Sequence, residues 1–139
     1  MLNFLLILVV ALAAQEWARL VGYSNQILIF AYIIITLSTI FIIYNYFFTG
    51  ETKTREFMQP LLGISSVWWT IAFFWIKNYP ESAVIWSNYV IKSLMGFFVI
   101  VPLWFSVFFI FNLNYGRYLL VLFVLLVALT DIGGYLVGK

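Results

Sequence analysis

Tyr118–Val137 reads YLLVLFVLLVALTDIGGYLV and is followed by Gly138-Lys139. At about 1.5 Å per residue, this run is long enough for one helix to cross a hydrocarbon core about 30 Å thick. It has no apolar-polar alternation and exceeds the length of an ordinary strand. An open sheet edge in lipid would leave backbone groups unpaired, so the run reads as a transmembrane helix. One residue does not belong to that description. Asp131 lies about four residues past the middle of the run, roughly 6 Å along the helix. A carboxylate near a helix centre in lipid costs about 2.5–3.5 kcal/mol on insertion scales. Its short side chain cannot readily reach the interface, which makes Asp131 a candidate functional residue. Only Ile132–Lys139 follow it, so most of what it works with is expected to lie outside these residues.

Working outward, the sequence contains four more apolar segments. They cover about 2–20, 27–48, 61–76 and 93–111, which with 118–137 predicts an all-α polytopic membrane protein of five spans forming a single transmembrane helical domain. The third is short for a span, and bilayer thinning would accommodate it. The first lacks a basic leader, and its helical pattern continues through Glu16-Trp17-Ala18-Arg19, which favours a span over a signal peptide. Composition agrees: the 139 residues are 65% hydrophobic and 9% charged, with a mean hydropathy of +1.09. A soluble domain of this size has too little interior to hide so much apolar surface.

The same composition excludes several kinds of chemistry. A net charge of +2 gives no reason to expect a nucleic-acid partner. The absence of cysteine and histidine removes thiolate sites, disulfides, the commonest transition-metal ligand and the commonest neutral-pH base. Any metal would be a hard cation held by oxygen. Trp17, Tyr23, Tyr44, Tyr46, Trp75, Tyr79, Trp86 and Tyr89 fall near segment ends and read as an interfacial aromatic belt.

The longest polar stretches are Thr49–Pro60 and Lys77–Lys92. Charge leaves the orientation open. Arg19, Lys77, Lys92 and Lys139 would share one face, against Lys53, Arg55 and Arg117 on the other. Span parity is more informative. With five spans, Gln15–Arg19, Lys77–Trp86 and Asp131–Lys139 emerge on one face, where they could converge on a polar pocket or simply be helix ends.

Four stretches carry a resemblance: AAQEWARLVGY (Ala13–Tyr23), YPESAVIW (Tyr79–Trp86), FFVIVPLW (Phe97–Trp104) and DIGGYLVGK (Asp131–Lys139). In this order they resemble the N-terminal half of bacterial phosphatidate cytidylyltransferases, also called CDP-diglyceride synthases. That family has an A-x-E-[WY] motif ending a helix, a V-P inside an apolar helix, and D-[ST]-G-A-Y-x-x-G-[RK] opening the catalytic region. Ile132 departs from the family's Ser or Thr, and Gly134 from its Ala.

The resemblance implies transfer of a cytidylyl group from CTP to phosphatidic acid, giving CDP-diacylglycerol and diphosphate. It further implies Mg²⁺ as cofactor, a multi-pass location in the bacterial inner (cytoplasmic) membrane, Asp131 as a catalytic residue and Lys139 as a substrate-binding one. Family members extend at both ends, and their metal and nucleotide ligands lie mostly beyond the Gly-Lys. No metal ligand is therefore certain in this chain. The expectation is a fragment that is inactive alone and works as a homodimer or with a complementing C-terminal chain.

Structural roles compete for the same residues. Glu16 and Arg19 form an i, i+3 pair near a helix end. Asp131, Gly134 and Gly138 share one helix face, and the G-x-x-x-G spacing suits close helix packing as well as ligand contact. Pro102 is expected to kink the fourth span, and Lys77 and Lys92 read as juxtamembrane charges. Two other functions stay open: a non-catalytic membrane scaffold subunit, and a transporter fragment with Asp131 as its ion site. The transporter would be favoured by a second intramembrane acid, which segments two to four lack.

Overall fold

The computed structural model describes residues 2–47 and 51–138. Its elements are α1 (Leu2–Val21), α2 (Gln26–Phe47), α3 (Glu51–Lys77), α4 (Ala83–Trp86), α5 (Tyr89–Phe111) and α6 (Gly116–Val137). There is no strand among the described residues. All but α4 are long and apolar enough to cross a membrane. The protein is thus a multi-pass all-α chain, as the apolar runs predict.

Local chemistry explains where the helices start and stop. Asn25 and Asn88 precede α2 and α5. Their side-chain oxygens accept from the backbone N–H of Ile27 and Val90, each at 2.9 Å. Each asparagine thereby satisfies one of the helix's unpaired amino-terminal donors. α1 ends at Gly22, whose φ of +104° is accessible to glycine at little cost. Its N–H donates to the Arg19 carbonyl, and that of Tyr23 to Ala18, at 3.0 and 3.2 Å. These two bonds close the helix end.

α3 is the main departure from the hydropathy reading. It begins at Glu51, inside the stretch 49–60 that reads as polar connection. Hydropathy marks where lipid ends, not where a helix must end. Glu, Lys, Arg, Met and Gln are all good helix formers. Pro60 sits inside the helix and forfeits only its own N–H bond, to the Glu56 carbonyl. Smaller differences occur in Lys77–Lys92, which holds the short helix α4, and at the start of α5, four residues before the apolar run. Position 48 of the expected second span lies outside the described residues.

The chain divides into two compact units, Met1–Trp104 and Phe105–Lys139. In the first, buried residues form one stripe per helix. α1 contributes Val10, Ala14, Ala18 and Val21; α2 contributes Ile29, Tyr32, Thr36 and Ile40. These are the i, i+3, i+4 positions of a single face. α1 and α2 pack on each other, and Ala14 and Ala18 are completely buried. Small residues let helix backbones approach where the hydrophobic effect gives no driving force between helices.

Polar side chains within the apolar helices bond their own backbone. Thr36, Ser65 and Thr70 hydroxyls donate to carbonyls four residues earlier, at 2.8–2.9 Å. That removes the cost of an unpaired hydroxyl in lipid.

In the second unit, Tyr115 adopts a left-handed conformation (φ 66°) and leads into Gly116. A Cβ at Gly116 would collide with the Ile110 and Phe111 carbonyls, so only glycine permits this tight turn from α5 into α6.

Candidate functional site

In the first unit, the end of α1 and the start of α5 are tied together by aromatic donors. Trp17 Nε1–H donates to the Lys92 carbonyl at 2.8 Å, and the Tyr32 hydroxyl to the Ser93 carbonyl at 2.9 Å. The Tyr23 hydroxyl and Ser93 Oγ lie 2.9 Å apart, and the Tyr23 and Tyr89 rings are stacked with centroids 6.1 Å apart. Gly96 makes this possible. A Cβ there would run into Trp17 and the Tyr32 hydroxyl. Three side chains from outside α5 therefore fix its first two turns.

None of these pairings is visible in the sequence, where Trp17, Tyr23 and Tyr89 read as belt residues. The signals that point towards them are Trp17 within the A-x-E-W motif and a lone glycine, Gly96, in an apolar run.

The connection from α3 to α5 is tied in the same way. The buried Ser82 donates its hydroxyl to the Trp75 carbonyl at 2.6 Å. Trp17, Trp75 and Trp86 line one open apolar groove of about 280 Å³. Two of the three polar islands, Gln15–Arg19 and Lys77–Trp86, are thus neighbours. The third, Asp131–Lys139, belongs to the second unit.

Glu16 and Arg19 form an ion pair at 2.9 Å with both side chains more than half exposed. A pair so open to its surroundings contributes little. Lys77 closes the last turn of α3, where a cation favourably opposes the helix dipole. Neither Lys77 nor Lys92 is paired with a carboxylate among the described residues.

α6 is a different kind of surface. Of its residues only Gly116 is buried. Asp131 is exposed on this apolar helix and makes no hydrogen bond or ion pair among the described residues. A Cβ on Gly133 or Gly134 would touch nothing within 4 Å. Gly138 caps the helix, its N–H donating to the Gly134 carbonyl at 2.9 Å. The face that carries Asp131, Gly134 and Gly138 is therefore open for contact. Lys139 lies outside the described residues. Pro102 sits inside α5, where it releases the Phe98 carbonyl from its helical bond.

Among the described residues, no group of three or more His, Cys, Asp or Glu could hold a metal ion. What the arrangement offers is one intramembrane carboxylate on a bare helix, and two unpaired lysines at the tied ends of α3 and α5.

Comparison with known proteins gives these features a context. The phosphatidate cytidylyltransferase of Pseudomonas aeruginosa is 30% identical over 131 residues, covering 94% of this chain and 45% of the relative. The chain thus spans less than half the length of that protein, matching its N-terminal part. No solved structure matches. The family model described as the cytidylyltransferase family matches residues 1–139, and the chain belongs to that family.

Proposed function

We propose that this chain supplies the N-terminal membrane part of a phosphatidate cytidylyltransferase. The reaction joins CTP and phosphatidic acid. A phosphate oxygen of the lipid attacks the α-phosphorus of CTP, the bond from that phosphorus to the bridging oxygen breaks, and diphosphate leaves. The observation that carries this function is the family match along the whole chain. The five apolar helices are in keeping with a lipid substrate that enters sideways from the bilayer.

Within this reaction the chain's own groups have limited parts. Asp131 is the candidate catalytic carboxylate, supplying fixed negative charge that orients a cationic group. Lys139 is the candidate cation for a substrate phosphate. Gly134 and Gly138 keep the Asp131 face slim enough for close approach of another helix. Pro102, Glu16 and Arg19 have structural roles.

Family chemistry implies Mg²⁺, which would neutralise triphosphate charge. The described residues do not assemble a magnesium donor set, since Asp131 stands alone on α6 and no acidic cluster is present.

The five spans are taken as one membrane domain in the bacterial inner membrane. Glu16, Lys77 and Asp131 lie on its cytoplasmic face, where CTP is found. The missing groups come from residues beyond the Gly-Lys, in the same or a complementing chain, with a homodimer as the other arrangement.

The test is turnover of CTP and phosphatidic acid by the purified 139-residue protein, alone and fused after Lys139 to the C-terminal portion of a full-length relative. Activity is expected only in the fusion. Turnover by the 139 residues alone would contradict the division of labour, and a folded but inactive fusion would contradict the function.

A further inference from the structure

The groove in the first unit holds five of the chain's six tryptophans: Trp17, Trp68, Trp69, Trp75 and Trp86 line it. Trp68 stacks on Phe98 with centroids 5.3 Å apart and meets Trp75 edge-on at 5.8 Å, so the wall is continuous aromatic surface. Trp75 lies two residues from the end of α3 and Trp68 nine residues from it. At about 1.5 Å per residue the slot runs from the helix ends roughly 14 Å inward, nearly half of a hydrocarbon core about 30 Å thick.

Charge marks the outer end. Lys77 follows directly on the lining residue Ile76. Lys92 lies one turn before the lining residue Met95, and Trp17 holds its carbonyl. Glu16 and Arg19 neutralise each other. That leaves Lys77 and Lys92 with Glu81 as the one acid in the connection between them, and neither lysine forms an ion pair with it. An aromatic slot at acyl-chain depth with an excess of cations at its headgroup end complements one kind of molecule.

We propose that this groove binds one anionic phospholipid, with an acyl chain along the tryptophans and the headgroup phosphate at Lys77 and Lys92. A zwitterionic lipid fits the slot equally well but gains less from the lysines, because its own cation compensates the phosphate. Binding does not depend on cytidylyl transfer, and the probe is therefore a lipid that is no substrate of that reaction.

The clustering of tryptophan supplies the readout. The full chain is reconstituted in phosphatidylcholine vesicles containing, at equal mole fraction, phosphatidylglycerol or phosphatidylcholine with brominated acyl chains, which quench nearby indoles. With each lysine worth roughly fivefold near an anionic headgroup, and Glu81 offsetting part of that, quenching should report a preference of roughly tenfold for the anionic lipid. The double variant Lys77→Gln/Lys92→Gln should lose the preference. Ala72→Phe, which fills the slot and leaves both lysines in place, should lose it too while helical circular dichroism is unchanged. Val99→Phe fills the same slot and replaces Ala72→Phe should that variant lose helicity. Equal quenching by the two lipids in the unmodified chain would overturn the proposal. So would a preference that survives the filled slot or the loss of both lysines.

Discussion

The tied junction of α1 and α5 and the bare helix α6 treat polar groups in opposite ways. At the junction the aromatic donors and the Ser93 hydroxyl have partners within the chain. Trp17 and Tyr32 bond backbone carbonyls of α5, Tyr23 meets Ser93, and Ser93 Oγ also donates to the Tyr89 carbonyl at 2.8 Å. On α6 a carboxylate stands exposed among leucines and valines with no partner among the described residues. An unpaired polar group in hydrocarbon is costly. The difference teaches which part of the molecule is self-sufficient. The junction's donors are satisfied within the first unit, whereas α6 presents a carboxylate with no partner among the described residues.

The largest expected effect sharpens the α6 side. In a fusion that restores the family's C-terminal portion, Asp131→Asn keeps the shape and removes the charge. Turnover should fall by roughly 10²–10³-fold, the scale of losing one preorganised electrostatic group in an active site. Insertion should be unharmed or eased, by up to about 3 kcal/mol. Near-normal turnover would instead make the Asp131 face a packing surface, and loss of folding would make Asp131 a structural ion-pair partner.

A pair of glycine variants then compares the two regions directly. Gly96→Leu pushes into Trp17 and the Tyr32 hydroxyl and should destabilise the protein by about 1–3 kcal/mol in a detergent unfolding titration. Gly134→Ala meets nothing within 4 Å. In the chain alone it should be neutral, or stabilising by up to about 1 kcal/mol through helix propensity. Similar destabilisation by both would erase the distinction between the regions.

Two smaller effects grade the junction itself. Trp17→Phe keeps an aromatic ring and loses the bond to the Lys92 carbonyl, which should cost about 0.5–1.5 kcal/mol in the same titration. Arg19→Ala breaks only an exposed ion pair and should change stability by less than about 0.5 kcal/mol. A larger loss for Arg19→Ala than for Trp17→Phe would move the weight of the A-x-E-W region from the tryptophan to its charges.

These contrasts also explain what the sequence discloses and what it withholds. The five spans are legible because lipid imposes a length and an apolar composition on each of them. The start of α3 at Glu51 is not, because helix propensity continues into polar residues where hydropathy has already ended. Asp131 is conspicuous because a single carboxylate in YLLVLFVLLVALTDIGGYLV violates its surroundings. Trp17, Tyr23 and Tyr89 are inconspicuous because aromatic residues at helix ends are ordinary in membranes. Their roles depend on partners 66–75 residues away in the chain, which no local pattern encodes.

The central claim is that the α6 face bearing Asp131 and Gly134 is completed by residues beyond this chain, whereas the first unit is not. The chain has no native cysteine, so a nitroxide can be attached at Gly134→Cys and, as a reference, at the exposed position Leu12→Cys in α1. The measurement is the oxygen accessibility of each label in bilayers, in the 139-residue chain and in the C-terminal fusion. The label at 134 should be as accessible as a lipid-facing site in the chain alone and several-fold less accessible in the fusion, with the label at 12 unchanged. Equal accessibility at 134 in both proteins would contradict the account.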